Sequence, residues 1–312
     1  MTELEHDHQQ LDAPVPVDLI DAPSWVGRFV DLGNASWRML SDDVHLRSVD
    51  SGRFALVSMV VPDAALLSAQ AFVTAVEDVY ESLRDHLGDL TCPCPIRMWN
   101  YVPGILEPLG DAMSRYHLFN QARHDVYCRW YGSPDGFRKH VVTATCTGHV
   151  GDDYIFHCLT APSSGRPVEN PRQHSSYRYS KRFGPKPPCF ARATTLPVRD
   201  DGTCQVMVGG TASVRGEDSR YQKDISRQLG ETLDNMTSIL AASCPSDPDA
   251  ASASLHAYSD IRIYYKHSFD RTEIESVVSR DFRPDVAVEW IHAPICRDEL
   301  LVEIEGLAVV SE

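Results

Sequence analysis

"LLVEIEGLAVV", residues 300–310, has the length and composition of a β-strand, in which successive side chains point to opposite faces of the sheet. One face of this strand would carry Val302, Ile304, Gly306 and Ala308, and the other Leu301, Glu303, Glu305, Leu307 and Val309. The first set suits packing under helices, so the two carboxylates would point the other way, among apolar neighbours. Burial there would raise the pKa of a carboxyl and keep it able to donate a proton near neutral pH. Glu303 is therefore a candidate general acid. Alternation alone leaves open that one or both glutamates face solvent or pair with arginine.

Apolar periodicity predicts the same order of elements twice. In the first half we expect strands near 53–61, 96–102, 139–148 and 153–160, with helices near 64–87 and 113–131. In the second half we expect strands near 204–209, 261–266, 285–291 and 300–310, with helices near 219–242, capped by Ser219, and 270–280. The fold class is therefore α+β, with two tandem β-α-β-α-β-β units, each a mixed sheet with two helices packed on one face.

The ends of the predicted units define three boundaries along the chain. They divide the chain into an N-terminal extension at 1–45, partly disordered, an α+β domain at 46–160, a connection at 161–203 that contributes to the site, and a second domain at 204–312. The face of each sheet without helices must meet another sheet. Either the two units pack together or whole chains assemble, so we expect a monomer or a homotrimer.

Charge and hydropathy exclude several partner classes. The formal net charge of −15 disfavours nucleic acid and anionic membranes. The sequence contains neither an apolar run of membrane-spanning length nor a signal peptide, so we expect a cytoplasmic protein. One stretch, 170–199, has several basic residues and no acidic one, which suggests a small anionic ligand. A solvated basic loop is the alternative.

Cysteine and histidine spacing predicts no metal site. "CPC" at 92–94 lacks a second ligand pair, and His6 with His8 fits an acidic tail better than a metal centre. Cys296 lies in "APICRDE", seven residues before Glu303. It is a candidate site residue, although a small buried hydrophobe is the commoner role of such a cysteine.

Three further segments carry candidate binding residues. In the helix near 113–131, Tyr116, Asn120, Arg123 and Tyr127 form one polar stripe, in which Arg123 could hold a carboxylate in a bidentate pair. "SSYRYSKRFGPKPPCFARA", 175–193, supplies Tyr177, Tyr179 and Arg192. In "VGGTASVRGEDS", 208–219, Gly209 and Gly210 would let the backbone approach a ligand closely, since the segment lacks the features of a nucleotide site.

These segments resemble two known families. "VGGTASVRGEDS", "ISRQLGETLDNM" (225–236) and the final strand resemble the reactive-intermediate deaminase superfamily, whose fold is like that of small trimeric chorismate mutases, over roughly 186–312. "RYHLFNQARHDVY" (115–127) and "NPRQHSSYRYSKRFGPKPPCFARA" (170–193) extend the likeness over most of the chain, and they resemble the chorismatase family. Arg283, in "RPDVAVEW", has no clear match to the substrate-binding arginine of small deaminases.

The chorismatase resemblance implies an enzyme that releases pyruvate from chorismate without a cofactor. It assigns proton donation to Glu303 and binding of the substrate carboxylates to arginine and tyrosine groups. Cys296 and Gly209 match the subgroup that forms 3-hydroxybenzoate through attack by the substrate C4 hydroxyl, and some relatives also form 4-hydroxybenzoate, a link to ubiquinone and aryl-polyene pigments. The alternatives are a hydrolase that gives a dihydroxycyclohexadiene carboxylate, a non-catalytic protein that binds small acids, and an imine deaminase.

Overall fold

The computed structural model describes residues 20–31, 33, 35–41, 44–110, 113–133, 136, 139–244 and 254–311. His6, His8 and most of the predicted extension at 1–45 lie outside these ranges. Among the residues described, no helix is both long and apolar enough to cross a membrane.

The first sheet has six strands. They are β1 (Arg38–Ser41), β2 (Val44–Asp50), β3 (Ala55–Val61), β4 (Cys94–Pro103), β5 (Thr143–His149) and β6 (Tyr154–Ala161). Their order is β1-β2-β3-β6-β4-β5; β4 and β5 run parallel, and the other neighbouring pairs are antiparallel. One face is covered by the helices α1 (Ala69–Leu87) and α2 (Arg115–Tyr131).

The second sheet repeats this plan. Its strands are β7 (Arg166–Val168), β8 (Ala193–Thr195), β9 (Thr203–Ala212), β12 (Tyr258–Tyr265), β13 (Ala287–His292) and β14 (Val302–Ser311), and the short strands β10 (Val214–Arg215) and β11 (Asp218–Ser219) form a separate ribbon. The order is β13-β12-β14-β9-β8-β7, with β12 and β13 parallel. The helices α3 (Ile225–Ser243) and α4 (Arg271–Asp281) cover one face. The predicted fold class is confirmed, and two strands from the predicted connection join this sheet.

The helices α1 and α2 begin at serine residues whose side chains cap the first turn. The hydroxyl oxygens of Ser68 and Ser114 accept hydrogen bonds from the backbone N–H groups of Ala71 (3.3 Å) and His117 (3.4 Å) at the starts of α1 and α2. Such bonds satisfy donors that the first turn of a helix leaves unpaired.

The predicted cap of α3 is wrong. Ser219 lies in β11, and the N-cap is Asp224, whose Oδ1 accepts from the backbone N–H of Arg227 at 3.0 Å. The residues between them include Tyr221 and Lys223, with φ of 54° and 64°. Because a right-handed helix needs negative φ, the chain cannot become helical until after Lys223.

The two sheets face each other through the sides that carry no helices. This inter-sheet core is apolar at most positions: Leu56, Trp99, Tyr101 and Leu159 of the first sheet meet Met207, Tyr264 and Leu307 of the second. The segment 20–30 adds Trp25 and Val26 to this core, and the Trp25 ring lies 5.5 Å from that of Trp99. The two units thus pack together within one chain, while the monomer or homotrimer stays a prediction.

Candidate active site

A cavity opens at the contact between the two units. Five parts of the chain line it: α2, β5, the connection, the β9–β10 segment, and the loop and strand at the C-terminus. Its lining is Tyr116, Arg123, Ala144, Cys146, Gln173, Tyr179, Phe190, Arg192, Gly210, Ala212, Val214, Cys296, Arg297, Leu300 and Glu303.

Glu303 lies on β14 with 5% of its surface exposed and lines this cavity. The predicted alternation holds, since Val302, Ile304 and Ala308 are buried in the core beneath the helices of the second sheet. The pKa of Glu303 is raised to about 8, first by burial and second by the nearby Glu305 carboxylate, against the opposing effect of nearby arginines. Glu303 therefore holds its proton at neutral pH.

Gly210 makes room for this carboxyl. A Cβ atom built on Gly210 would lie 1.8 Å from Oε1 of Glu303. The register of β9 against β14 shifts here: Ile304 lies opposite Thr211 but Gly306 lies opposite Val208, so Gly209 and Gly210 together oppose Glu305. Such β-bulges are common beside active sites, where they redirect side chains. Neither glycine has a positive φ, so space rather than backbone conformation requires Gly210.

Gly209, unlike Gly210, contacts the first sheet and not the cavity. It does not line the cavity; its Cβ would meet Thr143 Cγ2 at 2.9 Å and the Arg192 carbonyl oxygen at 3.2 Å. The missing side chain therefore allows close contact between the two sheets rather than access to a ligand.

Glu305 is fully buried and faces the inter-sheet core. It pairs with Arg97 and accepts hydrogen bonds from Thr145 Oγ1, Trp99 Nε1 (3.0 and 3.2 Å to its two oxygens) and Tyr264 Oη (3.1 Å). Donors that surround both oxygens satisfy a buried carboxylate anion. Of the two glutamates, one is thus paired with arginine and the other lines the cavity.

Two predicted arginines reach the cavity with unused donors. Arg123, 1% exposed, donates from Nη2 to Asn120 Oδ1 at 3.1 Å, and its Nε and Nη1 have no hydrogen-bond partner among the described residues. Arg192 donates from Nη2 to the His174 carbonyl oxygen (3.1 Å) and to Tyr179 Oη (2.6 Å), while its Nε has none in the same part of the chain. Buried donors without partners are costly, so both arginines are ready for acceptor oxygens of a ligand.

Arg297 is a cavity residue that sequence reasoning missed. Its Nη1 donates to the Glu217 carbonyl oxygen (2.8 Å) and Ser219 Oγ (3.1 Å), and its guanidinium lies 4.0 Å from the centre of the Phe183 ring. Its position directly after Cys296 in "APICRDE" was the available signal. Gln173 was also missed; it donates from Nε2 to the Val214 carbonyl oxygen at 3.1 Å.

Two thiols line the cavity. Burial raises the pKa of Cys296 to about 12, an effect to which the Glu303 carboxyl adds. Burial likewise raises the pKa of Cys146, on β5, well above its usual range. Both side chains are therefore neutral thiols at neutral pH, which makes them small, weakly polar wall groups rather than thiolate nucleophiles.

The other predicted residues divide between the cavity lining and the structure behind it. Tyr116 and Tyr179 line the cavity. Asn120 is fully buried behind Arg123, and Tyr177 packs against the core of the first sheet. Arg283 pairs with Asp285, its Nε 2.5 Å from Oδ1, and does not reach the cavity.

The basic stretch at 170–199 is neutralised in part. Ion pairs join Arg172 to Glu231, Arg182 to Glu217 and Lys186 to Asp125, with N–O distances of 2.6, 2.9 and 3.4 Å. Of its basic residues, Arg192 lines the cavity. Among the described residues, no group of three or more His, Cys, Asp or Glu is placed to hold a metal ion.

Comparison with known proteins finds relatives that match most of this chain. A 3-hydroxybenzoate synthase of Streptomyces hygroscopicus is 31% identical over 242 residues, which cover 76% of this chain and 70% of that protein. This chain belongs to the chorismatase family. The family model described as "Chorismatase FkbO/Hyg5-like, N-terminal" matches residues 37–160. A chorismatase of Streptomyces rapamycinicus is 30% identical over 235 residues, covering 73% of this chain and 68% of the relative.

A solved chorismatase has the same fold. It aligns with a TM-score of 0.73 and 24% identity, covering 88% of this chain and 79% of the other. This likeness confirms the predicted α+β architecture. The enzyme class that the sequence resemblance implied is confirmed by the two relatives of 30% identity or more.

Proposed function

We propose that this chorismatase converts chorismate into 3-hydroxybenzoate and pyruvate. The relative named 3-hydroxybenzoate synthase supports this product. The observation that carries the proposal is the buried Glu303 carboxyl, with a pKa of about 8, in a cavity that arginines line. Among the family subgroups, Cys296 beside this carboxyl favours the 3-hydroxybenzoate synthases.

The cavity suits a dianionic cyclic substrate. Arg123, Arg192 and Arg297 supply three positive charges, whereas Glu303 and the thiols are neutral near pH 7. Chorismate carries two carboxylates, and unpaired guanidinium N–H groups bind carboxylates through charge-assisted hydrogen bonds. Tyr116 and Tyr179 add hydroxyl groups on the same wall. These groups position the ring so that its enolpyruvyl arm reaches Glu303.

Glu303 is the proton donor in this proposal. Its proton moves to the methylene carbon of the enolpyruvyl group, which becomes the methyl group of pyruvate. The C4 hydroxyl oxygen bonds to C3 of the ring as the bond from C3 to the ether oxygen breaks, and the electrons of that bond form the pyruvate carbonyl. The hydroxyl proton returns to Glu303. The resulting arene oxide opens at C4 and loses its C3 hydrogen as a proton, the oxygen gains a proton, and aromatic 3-hydroxybenzoate forms.

Exclusion of water determines the product. The hydrolase reaction needs a water molecule that reaches the protonated enolpyruvyl ether before the internal hydroxyl attacks C3. Ala212, Val214, Leu300 and Phe190 supply apolar walls, and Cys296 fills space next to Glu303 with a weakly polar thiol. A closed wall on this side favours the internal hydroxyl over water.

The test is incubation of the purified protein with chorismate. Pyruvate is measured by lactate dehydrogenase and NADH, and the second product is identified by chromatography. We expect pyruvate and 3-hydroxybenzoate in equal amounts, and the same chromatogram measures any 4-hydroxybenzoate. Pyruvate with a dihydroxycyclohexadiene carboxylate would replace the proposal by the hydrolase reaction, and unchanged chorismate would favour a binding protein.

A further inference from the structure

A buried carboxylate lies next to the candidate acid without touching the cavity. Glu303 and Glu305 are two residues apart on one face of β14, which separates their Cα atoms by roughly 6.5 Å. Glu305 is absent from the cavity lining and fully buried. At such a distance inside a protein, one negative charge strongly disfavours a second. Its effect on Glu303 is therefore electrostatic and not a substrate contact.

The charge of Glu305 is fixed by donors from both sheets. Arg97 and Trp99 come from β4, Thr145 from β5 and Tyr264 from β12. Arg97 and Trp99 can only donate, so the oxygens that face them must accept. The first sheet thus holds this carboxylate in place on a strand of the second.

Thr145 links this carboxylate to the backbone beside Glu303. Its hydroxyl donates to Glu305 and accepts from Arg97 and from the backbone N–H of Gly210, the last at 3.0 Å. Gly210 is the residue against which Glu303 Oε1 packs. A continuous series of hydrogen bonds therefore runs from Glu305 through Thr145 to the backbone that the acid contacts.

We propose that Glu305 is a positioning residue for Glu303: its fixed negative charge favours the protonated form of the acid, and its bond to Thr145 holds the backbone beside the acid in place. The inference rests on the proposed function, because it assigns Glu303 a proton to donate. The pKa of Glu303, raised by burial first and Glu305 second, is consistent with it. The other ionisable groups around Glu303 are Arg97, Tyr116, Arg123, Cys146, Tyr179, Arg192, Tyr264, Cys296 and Arg297.

The test measures the titration of Glu303 directly. Carboxyl ¹³C NMR of glutamate-labelled protein follows each glutamate with pH, and the Glu303 signal is assigned by its loss in Glu303→Gln. In Glu305→Gln we expect the Glu303 midpoint to fall by about one pH unit or more. The falling limb of the pH profile of kcat should move with it, and KM should stay within about two-fold, because Glu305 does not line the cavity. Glu305→Asp keeps the charge and should restore the midpoint.

A matched control separates charge from stability. Glu289 also pairs with a buried arginine, Arg262, at 2.5 Å, but it lies on the edge strand β13 away from the cavity. Glu289→Gln should therefore leave the Glu303 midpoint unchanged. Glu305→Gln could fail to fold because it leaves Arg97 unpaired. In that case the double variant Arg97→Met, Glu305→Gln removes both charges, and we expect its Glu303 midpoint to fall by about half a pH unit.

Two results have distinct meanings. A Glu303 midpoint at the wild-type value in folded Glu305→Gln, or in the folded double variant, would overturn the inference. A wild-type protein that releases no pyruvate would contradict the proposed function, while the NMR titration would still decide whether Glu305 controls the protonation of Glu303.

Discussion

Glu303 and Glu305 lie on the same face of one strand but in different surroundings. Glu305 accepts from four side chains that close around it, whereas Glu303 lines a cavity and its pKa rises to about 8. Strand alternation predicted that both side chains share a face. It could not predict which would be paired, because Arg97, Trp99 and Thr145 lie more than 150 residues earlier in the chain.

The raised pKa of Glu303 has a cost in stability that depends on pH. Between the usual glutamate value of 4.5 and about 8, the folded protein binds a proton that the unfolded chain does not. Below about pH 4.5 the raised pKa costs no stability, because both states bind the proton. As pH rises from about 4.5 to about 8, the free energy of unfolding falls by up to about 1.4 kcal/mol per pH unit.

We predict that Glu303→Gln removes this dependence, so that the variant gains stability over wild type as pH rises from 5 to 8. Urea unfolding at several pH values measures the difference. Parallel pH curves for the two proteins would mean that Glu303 titrates normally in the folded state.

Replacement of Cys296 should change the product. Cys296→Ala removes a sulfur atom from the wall beside Glu303 and opens space for water, so we predict a larger share of the dihydroxycyclohexadiene carboxylate. Chromatography of the products measures the ratio. Cys94→Ala, outside the cavity, is the control, and a product ratio equal in all three proteins would remove Cys296 from product selection.

At the scale of elements, the sequence predicted strands and helices well and one helix start poorly. The helix predicted near 219–242 forms as α3, which places Leu229, Met236 and Leu240 in the core of the second unit. The start failed because Ser219 has the residue type of a cap, while the positive φ values that delay the helix fall on Tyr221 and Lys223, residue types that rarely adopt them.

The bulge in β9 supports a prediction at this scale. Gly210→Ala would place a methyl group where Oε1 of Glu303 lies, at 1.8 Å, so the acid must move. We predict that kcat falls by about ten-fold or more and that stability falls by about 1–3 kcal/mol. Steady-state kinetics and urea unfolding measure these two effects.

Gly230→Ala is the matched control. Gly230 lies in α3 with nothing within 4 Å of its added Cβ, so activity should be unchanged and stability should rise by up to about 1 kcal/mol. Gly210→Ala with full activity would show that the acid does not depend on this backbone contact.

At the scale of the whole molecule, the site exists because two units pack face to face. Arg123 and Cys146 come from the first unit, whereas Cys296 and Glu303 come from the second. Periodicity predicted each sheet and its helices, but it left open whether the free faces meet within a chain or between chains. Cys146, Gln173 and Arg297 were missed for the same reason, since only this packing brings them to one cavity.

The N-terminal segment contributes to this packing. Trp25 is 2% exposed and lies in the inter-sheet core beside Trp99, which in turn donates to Glu305. We predict that Trp25→Ala lowers the free energy of unfolding by about 3–5 kcal/mol. Leu66→Ala, at a side chain 80% exposed, should change it by less than about 0.5 kcal/mol. Equal stabilities of the two variants in urea unfolding would show that the segment is not part of the folded core.

Pyruvate release by Glu303→Gln decides whether this carboxyl is the acid. Glutamine keeps the size of the side chain and leaves Arg123, Arg192 and Arg297 in the cavity lining, but it has no acidic proton to give, so the variant should still bind chorismate in calorimetry. We predict that release at pH 7 falls by at least about 100-fold relative to wild type. Release within a few-fold of wild type, from a folded variant, would contradict the account.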